Sequence, residues 1–304
     1  MTQRDKLTCS LGVFAYNEAG NIIALLEALT AQRLEQAEIA EIIVVSSAST
    51  DGTDELVEQF SKSHPLVRLI RQERREGKSS AINLFLQQAS SNLLVVISGD
   101  VIPAKDTIEK LIAPFVNPGI GATGGRPVPV NTQDTFVGYA VHLLWRLHHR
   151  MAMITPKLGE MIAFRRVMDA IPADSAVDEA SIEALVLAKG LKLRYVPSAL
   201  ISNKGPQNIR DFIKQRRRIQ NGHLWLMKNQ HHKVVSQKGG TLLWILVDEV
   251  LGYPRSLHKV LAVMLLEIYC RMLGSFDFQI KGKNPFAWDI AHSAKQTGTR
   301  GSEE

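Results

Sequence analysis

Five stretches of the chain concentrate side chains that can bind or move charge. Residues 46–53 read Ser-Ser-Ala-Ser-Thr-Asp-Gly-Thr directly after an apolar run. Small polar groups of this kind let a ligand approach the backbone and close with the capping chemistry of a helix start, although a plain strand-to-helix turn has the same makeup. Lys78 follows Gly77 at the head of a helical pattern, where the helix dipole disfavours a cation unless an anion sits nearby, or where a solvated lysine simply stands beside a Gly turn. Ser98-Gly99-Asp100 ends an apolar run; its carboxylate suits a hard divalent cation, or a turn ahead of Pro103. Asp178-Glu179 opens an acidic segment, as a proton acceptor or as first-turn acids matched to the dipole. Gln215 and Arg218 share a helix face. Arg218 there either grips phosphate oxygens through charge-assisted bonds or lies on solvent or anionic lipid.

The elements that must position these groups follow from periodicity. Leu7–Tyr16 is apolar and ends at Asn17-Glu18, after which Ile22, Leu25, Leu26 and Leu29 repeat at helical spacing, giving strand, loop, helix. The pattern recurs with strands over 41–45, 67–71 and 93–97 and helices over 54–63 and 78–89. Such alternation predicts a mostly parallel α/β sheet with helices on both faces. Ligands bind such sheets at the carboxyl ends of the strands, so the residues just after Phe14, Val45 and Ile97 are expected to converge on one crevice. The second half is less regular: a Gly- and Pro-rich strand region over 120–130, helices over 132–153 and 177–189, and a strand over 192–196 closed by Pro197. A basic helix follows Pro206 as far as Gln230, and two apolar patches cover 242–251 and 257–273.

With 304 residues and 45% hydrophobic content, the chain can bury a full core. Its 36 Lys and Arg against 30 Asp and Glu, a net charge of +6, favour anionic partners such as nucleotide phosphates or lipid headgroups without choosing between them. Two cysteines, Cys9 and Cys270, exclude a disulfide framework or a cysteine metal cluster and fit a reducing compartment. Met1–Lys6 is polar and unlike a signal peptide, and no window reaches about 18 uncharged apolar residues. The expectation is a soluble, cytoplasmic body, with the inner face of a membrane as a further possible site.

Taken in order, Ala15-Tyr16-Asn17-Glu18, Ser46 to Thr53, Gly77 to Asn83 and Ser98-Gly99-Asp100 resemble the motifs of family 2 glycosyltransferases. The resemblance extends over about residues 7–222 and implies a GT-A fold, a Rossmann-like mostly parallel sheet flanked by helices. It further implies transfer of a sugar from a UDP- or GDP-sugar to a hydroxyl, inverting and metal-assisted, as in the hexosyltransferase class. On this basis Ala15, Tyr16, Asn17, Glu18 and Ser47 surround the nucleoside, and Lys78, Ser98, Gly99, Asp100, Gln215 and Arg218 complete the donor site. Asp100 is the metal residue for Mg²⁺ or Mn²⁺. Glu179 or Asp178 is the general base, and Arg126, Gly159 and Glu160 line the acceptor side. The chain departs from the family where Ser46-Ser47 and Ser98 stand for aspartates and Ile219 for a tryptophan. Asn203 stands where relatives have a metal-ligating histidine, or merely turns the chain.

The expected partners are a nucleotide-sugar donor and a saccharide or lipid-linked acceptor, with no nucleic acid and a possible peripheral membrane association. A non-catalytic nucleotide-sugar-binding protein is the alternative. A nucleic-acid binder, prompted by the arginines at 216–218, is a weaker one because no stacking platform accompanies them. His148-His149 and His231-His232 are expected at the surface. The domain division is a catalytic domain over 1–230 and a helical extension over 231–304 that holds Trp244, Tyr253 and Trp288, packed on the body or anchored at an interface.

Overall fold

A computed structural model describes residues 6–232, 239–252 and 254–280. The side chains of 239–243 and 254 are not among those described, and Tyr253, Trp288 and the rest of the extension beyond 280 lie outside.

The first half alternates as its periodicity predicts. Strands β1 (Leu7–Ala15), β2 (Ala37–Ser47), β3 (Val67–Gln72) and β4 (Leu93–Ser98) are separated by helices α1 (Ile22–Thr30), α2 (Thr53–Ser61) and α3 (Lys78–Gln88). These four strands pair in parallel, in the order β3-β2-β1-β4. Successive residues of each strand point to opposite faces, and both faces are dry. Leu11, Val13, Ile42, Val44 and Val95 pack under α1 and α2, while Phe14, Ile43, Val45, Leu94 and Val96 meet Ile82 and Phe85 of α3. That two-sided burial explains why these strands are almost continuously apolar.

β5 (Val101–Pro103) and α4 (Thr107–Ile112) come next, followed by β6 (Ile120–Pro129), α5 (Phe136–Ile154), β7 (Met161–Arg165), α6 (Asp178–Ala188), β8 (Lys192–Asn203) and α7 (Ile209–Gln230). The full sheet runs β3-β2-β1-β4-β7-β6-β8-β5. Four of its pairings are parallel, and β4/β7, β6/β7 and β5/β8 are antiparallel. β4 and β5 are joined by only Gly99 and Asp100, yet stand fourth and last in the order. Ser98 and Val101 can lie no more than roughly 11 Å apart, three Cα steps. The sheet therefore curls until its last strand returns to the carboxyl end of β4.

Pro197 does not close the last long strand as expected. β8 continues to Asn203, but Gly124 pairs with Tyr195 and Arg126 with Leu200. Five steps on β8 thus match two on β6, so Pro197 falls in a bulge where its missing N–H breaks no ladder bond. Two helices also begin later than the apolar pattern suggests, at side-chain caps. Thr135 Oγ1 accepts from Gly138 N–H ahead of α5, and Asn208 Oδ1 accepts from Asp211 N–H ahead of α7.

α8 (Gly239–Gly252) and α9 (Leu257–Gln279) form a third apolar cluster with α5 and Phe212 of α7. Arg216 and Arg217 of α7 pair with Glu267 and Asp277 of α9. Gly274 allows this close packing, since a Cβ there would lie 2.6 Å from the Arg217 carbonyl.

A Cβ on Gly125, beside the bulge, would lie 2.6 Å from the backbone oxygen of Ala199 and 2.4 Å from Ile201 Cδ1. Gly125→Ala is predicted to cost about 1–3 kcal/mol, read as a fall of several degrees in the unfolding midpoint.

Candidate active site

The ends of β1, β2 and β4 do converge. Ala15, Tyr16, Glu18, Ser47, Ser98, Gly99 and Asp100 open onto one cavity of about 690 Å³, which α3, α6 and α7 wall on the far side with Lys78, Glu179 and Arg218. Close packing holds the strand ends together. Gly99 N–H donates to the Phe14 carbonyl (2.9 Å), and a Cβ on Gly99 would lie 2.9 Å from Glu18 Cγ. Only glycine leaves room for both.

Much of the polar run at 46–53 builds the loops and leaves one group for a ligand. Asn17, at φ +53°, accepts from Thr50 N–H (2.8 Å) and donates its own N–H to Ser49 Oγ. Glu18 N–H donates to Thr53 Oγ1 (2.8 Å), and Asp51 accepts from the N–H groups of Ala19 and Thr53. Asn17 is thus a brace between two loops and does not line the cavity. Ser46 Oγ donates to Ser49, whereas Ser47 lines the cavity and donates to Gln72 Oε1 (2.7 Å). With its proton so used, Ser47 faces a ligand as an acceptor. Beside it the Arg75 guanidinium lies 4.4 Å from the centre of the Tyr16 ring, a cation–π pair whose flat faces suit a planar base. Arg75 was not legible in the sequence, sitting in a run of charged residues with a surface composition.

Lys78 is the electrostatic hub. Gly77 (φ +90°) turns the chain into α3, and the Lys78 ammonium reaches Glu179 Oε1 at 2.6 Å and Asp178 Oδ2 at 3.0 Å. Both acids belong to the first turn of α6. Burial works against the lysine's charge, but the two carboxylates outweigh it and hold Lys78 above its usual range. Burial also pushes Asp178 up, with Glu179 as a repelling neighbour. Glu179 is held below the usual carboxylate range because Lys78 overcomes its desolvation. Ser79 and Asn83 set this geometry by tying α3 to the loop before α6: Ser79 Oγ donates to the Ser175 carbonyl, and Asn83 exchanges two bonds with Ile171.

Glu160, after Gly159 at the start of β7, also lines the cavity. Burial and the charges of Asp100 and Glu179 raise its carboxyl to about 7. Asn203 Nδ2 donates to Glu160 Oε1 (3.4 Å), while the buried Asn203 Oδ1 has no hydrogen-bond partner among the described residues. Asn203 therefore does more than turn the chain. No group of three or more His, Cys, Asp or Glu able to hold a metal occurs among the described residues. Asp100, Glu160 and the unmatched Asn203 oxygen instead offer an all-oxygen donor set, which fits a hard cation that keeps part of its water shell.

Gln215 and Arg218 line the cavity, and the Arg218 charge acts on both Asp178 and Glu179. Arg216 also lines the cavity, neutralised by its pair with Glu267, whereas Arg217 is turned away into its pair with Asp277 of α9. The run at 216–218 is therefore not one exposed basic stripe: two of its arginines are paired with acids of α9. Arg126 stands outside the cavity lining, on a flank where its charge lowers the His149 pKa after burial has done so. His148 corrects the surface expectation: it is buried in the cavity wall, burial depresses its pKa, and its Nε2 has no hydrogen-bond partner among the described residues. Gly159 lies against that ring, where a Cβ would make ordinary contact at 3.4 Å from His148 Cε1. Lys157, missed like His148, is lowered to about 8 by burial.

The profile of Glycosyl transferase family 2 matches residues 10–183. Glycosyltransferase AglE of Haloferax volcanii is 31% identical over 110 residues, 36% of each chain. The poly-beta-1,6-N-acetyl-D-glucosamine synthase of Staphylococcus aureus is 25% identical over 70% of this chain and 54% of its own. The chain thus spans about half or less of these curated relatives. Among solved structures, the mannosyltransferase PcManGT of Pyrobaculum calidifontis, in complex with GDP-Man and Mn²⁺, superposes with a TM-score of 0.66 at 21% identity. The match covers 93% of this chain and 89% of the other. Glucosyl-3-phosphoglycerate synthase of Mycobacterium tuberculosis, with Mn²⁺ and UDP, gives 0.52 at 19% identity over 72% and 79%. The curled sheet is the GT-A fold of these enzymes, and with more than half of its length matched by the profile, the chain belongs to glycosyl transferase family 2.

Proposed function

We propose that the cavity transfers a sugar from a UDP- or GDP-sugar to an acceptor hydroxyl with inversion, assisted by a divalent cation. The observation that carries this reading is the meeting of Asp100, Lys78 and Glu179 in one cavity although they lie far apart in sequence. The nucleoside belongs against Tyr16, Arg75 and Ser47, and the diphosphate between Arg218, Lys78 and the oxygen donors. Asp100, Glu160 and Asn203 would hold Mg²⁺ or Mn²⁺, which when bound offsets the charge that develops on the leaving diphosphate. The GDP-Man, UDP and Mn²⁺ found in the structural neighbours support that assignment.

Lys78 and Glu179 divide the remaining work. A diphosphate competes with Glu179 for the Lys78 ammonium, and once Lys78 turns to phosphate the buried Glu179 loses its main stabiliser. Its proton affinity rises at the moment an acceptor hydroxyl needs a base, which is how a carboxylate held below its normal range becomes effective. Asp178, deeper and repelled by Glu179, holds the other side of the ammonium. Gly159 and Glu160 face the acceptor side. The apolar wall of Val141, Leu144 and Met264 suits a lipid-linked acceptor better than a free saccharide, and we place the work on the cytoplasmic side of a membrane.

The serines replacing aspartates at 46, 47 and 98 favour one competing reading, a nucleotide-sugar-binding protein without turnover. Thermal shift with a panel of UDP- and GDP-sugars, with and without Mn²⁺, followed by an assay of donor cleavage, separates the two. Asp100→Ala is expected to abolish the Mn²⁺-dependent part of both donor binding and turnover, and a donor that binds without ever being consumed would favour the rival.

Glu179→Gln is predicted to lower kcat by about 10²–10⁴-fold while the donor Kd stays within a factor of about two. Equal loss of both would remove Glu179 from the role of base. Lys78→Met leaves the buried Asp178 and the partly buried Glu179 without their main cation, at a cost of up to about 3 kcal/mol near pH 8. Their folded pKa values then exceed the unfolded ones, so the folded state binds more protons and regains stability as pH falls. Denaturant midpoints for this variant are expected to rise relative to wild type between pH 8 and 5.

A further inference from the structure

α9 is built inside out. Leu257, Leu261, Leu265, Ile268, Met272 and Phe276 follow one another at steps of four, four, three, four and four, a single helical face. All six are exposed, Leu265 at 69% and Met272 at 67%. Tyr269 and Ile280 widen the same face. The charged residues do the reverse: Glu267 and Asp277 turn inward to Arg216 and Arg217, Arg271 bonds Glu267, and only Lys259, in the first turn, is exposed. α8 shares the inversion in part, burying Glu249 against Arg146 while Trp244 stands 77% and Leu251 74% exposed, although Asp248 on the same side is exposed and paired with Arg150. Water-facing helices place these groups the other way round, and an apolar stripe about 29 Å long exceeds what a soluble surface normally leaves bare.

We propose that the α9 face is a membrane-docking surface that seats the protein on the headgroup boundary of a lipid bilayer. Three observations select lipid over a protein partner. The stripe carries no acid and no hydrogen-bonding pattern that would fix the register of a second chain. Trp244 and Tyr269 are the amphipathic aromatics that settle at a headgroup boundary. Arg255, His258 and Lys259 are exposed together at the start of the stripe, where anionic headgroups would meet them. No helix among the described residues is long and apolar enough to cross a membrane, so the helix lies along the surface. Ile268 belongs to both the stripe and the cavity lining, so docking brings the cavity to the bilayer. That purpose rests on the sugar-transfer reading, but the surface itself does not.

Flotation of the full chain with vesicles of phosphatidylcholine, alone and mixed with phosphatidylglycerol, tests the proposal. The chain is expected to float with both, more strongly with the anionic lipid at low salt. Leu265→Asp combined with Met272→Asp is expected to weaken partitioning by at least about tenfold, with an unchanged circular dichroism spectrum and unchanged donor cleavage in solution. Leu261→Gln, a milder change, carries the test if the double variant does not fold. The proposal is overturned if the wild-type chain stays in solution with both vesicles, or if the folded variants float as well as wild type. It also fails if light scattering finds a dimer that these substitutions dissociate, which would make a second copy the occupant. Donor cleavage lost with flotation intact would count against the transfer reading and leave the docking surface standing.

Discussion

The arrangement depends on one partly buried cation shared by two carboxylates. Lys78 heads α3, while Asp178 and Glu179 head α6, a hundred residues later. A lysine at a helix start is unfavourable by itself, and two acids side by side repel, so neither end is stable there without the other. Their meeting fixes the distance between the helices and hence the width of the cavity. The ion pair also holds Glu179 below the usual carboxylate range against the opposing effect of burial. The same contact thus joins the start of α3 to the start of α6 across the cavity.

The second constraint is topological. A two-residue link between β4 and β5, strands that stand far apart in the sheet, forces the sheet to curl, and the link is Gly99-Asp100. The Asp100 carboxylate therefore sits where the curl closes, in the same cavity as Glu160, just before β7, and Asn203, the last residue of β8. Rigid strands on both sides hold these oxygens, which is why a sheet edge can serve as a binding site without a long ordered loop.

The first half of the fold was legible because burial on both faces leaves apolar runs punctuated by polar strand ends, and those ends are where Tyr16, Ser47 and Asp100 lie. What periodicity cannot show is which polar residues face inward. Asn17 and Ser46 share their motifs with cavity residues yet serve as loop braces, a distinction made by bonds to Thr50 and Ser49 that span the gap between loops. Arg216 and Arg217 read as a surface charge run because their partners, Glu267 and Asp277, lie fifty and sixty residues away on α9. His148 looked like a surface residue because nothing local reports that its ring packs between Trp145 and Tyr195, and Lys157 drew no reading because its neighbours Arg216, Glu267 and Arg271 lie far along the chain. Pro197 misled for a different reason: proline stops a regular ladder, and β8 is irregular at that point.

The curled sheet still has two outer strands, and each is blunted in its own way. On β3, Arg68 and Arg71 project charge and are tied to Glu41, Asp54 and Glu58. The other rim is β5, three residues long and ending in Pro103, which has no N–H to offer. Neither rim is a template for strand addition. Among the described residues, the helical faces rather than the sheet rims are therefore the surfaces left open to a second molecule.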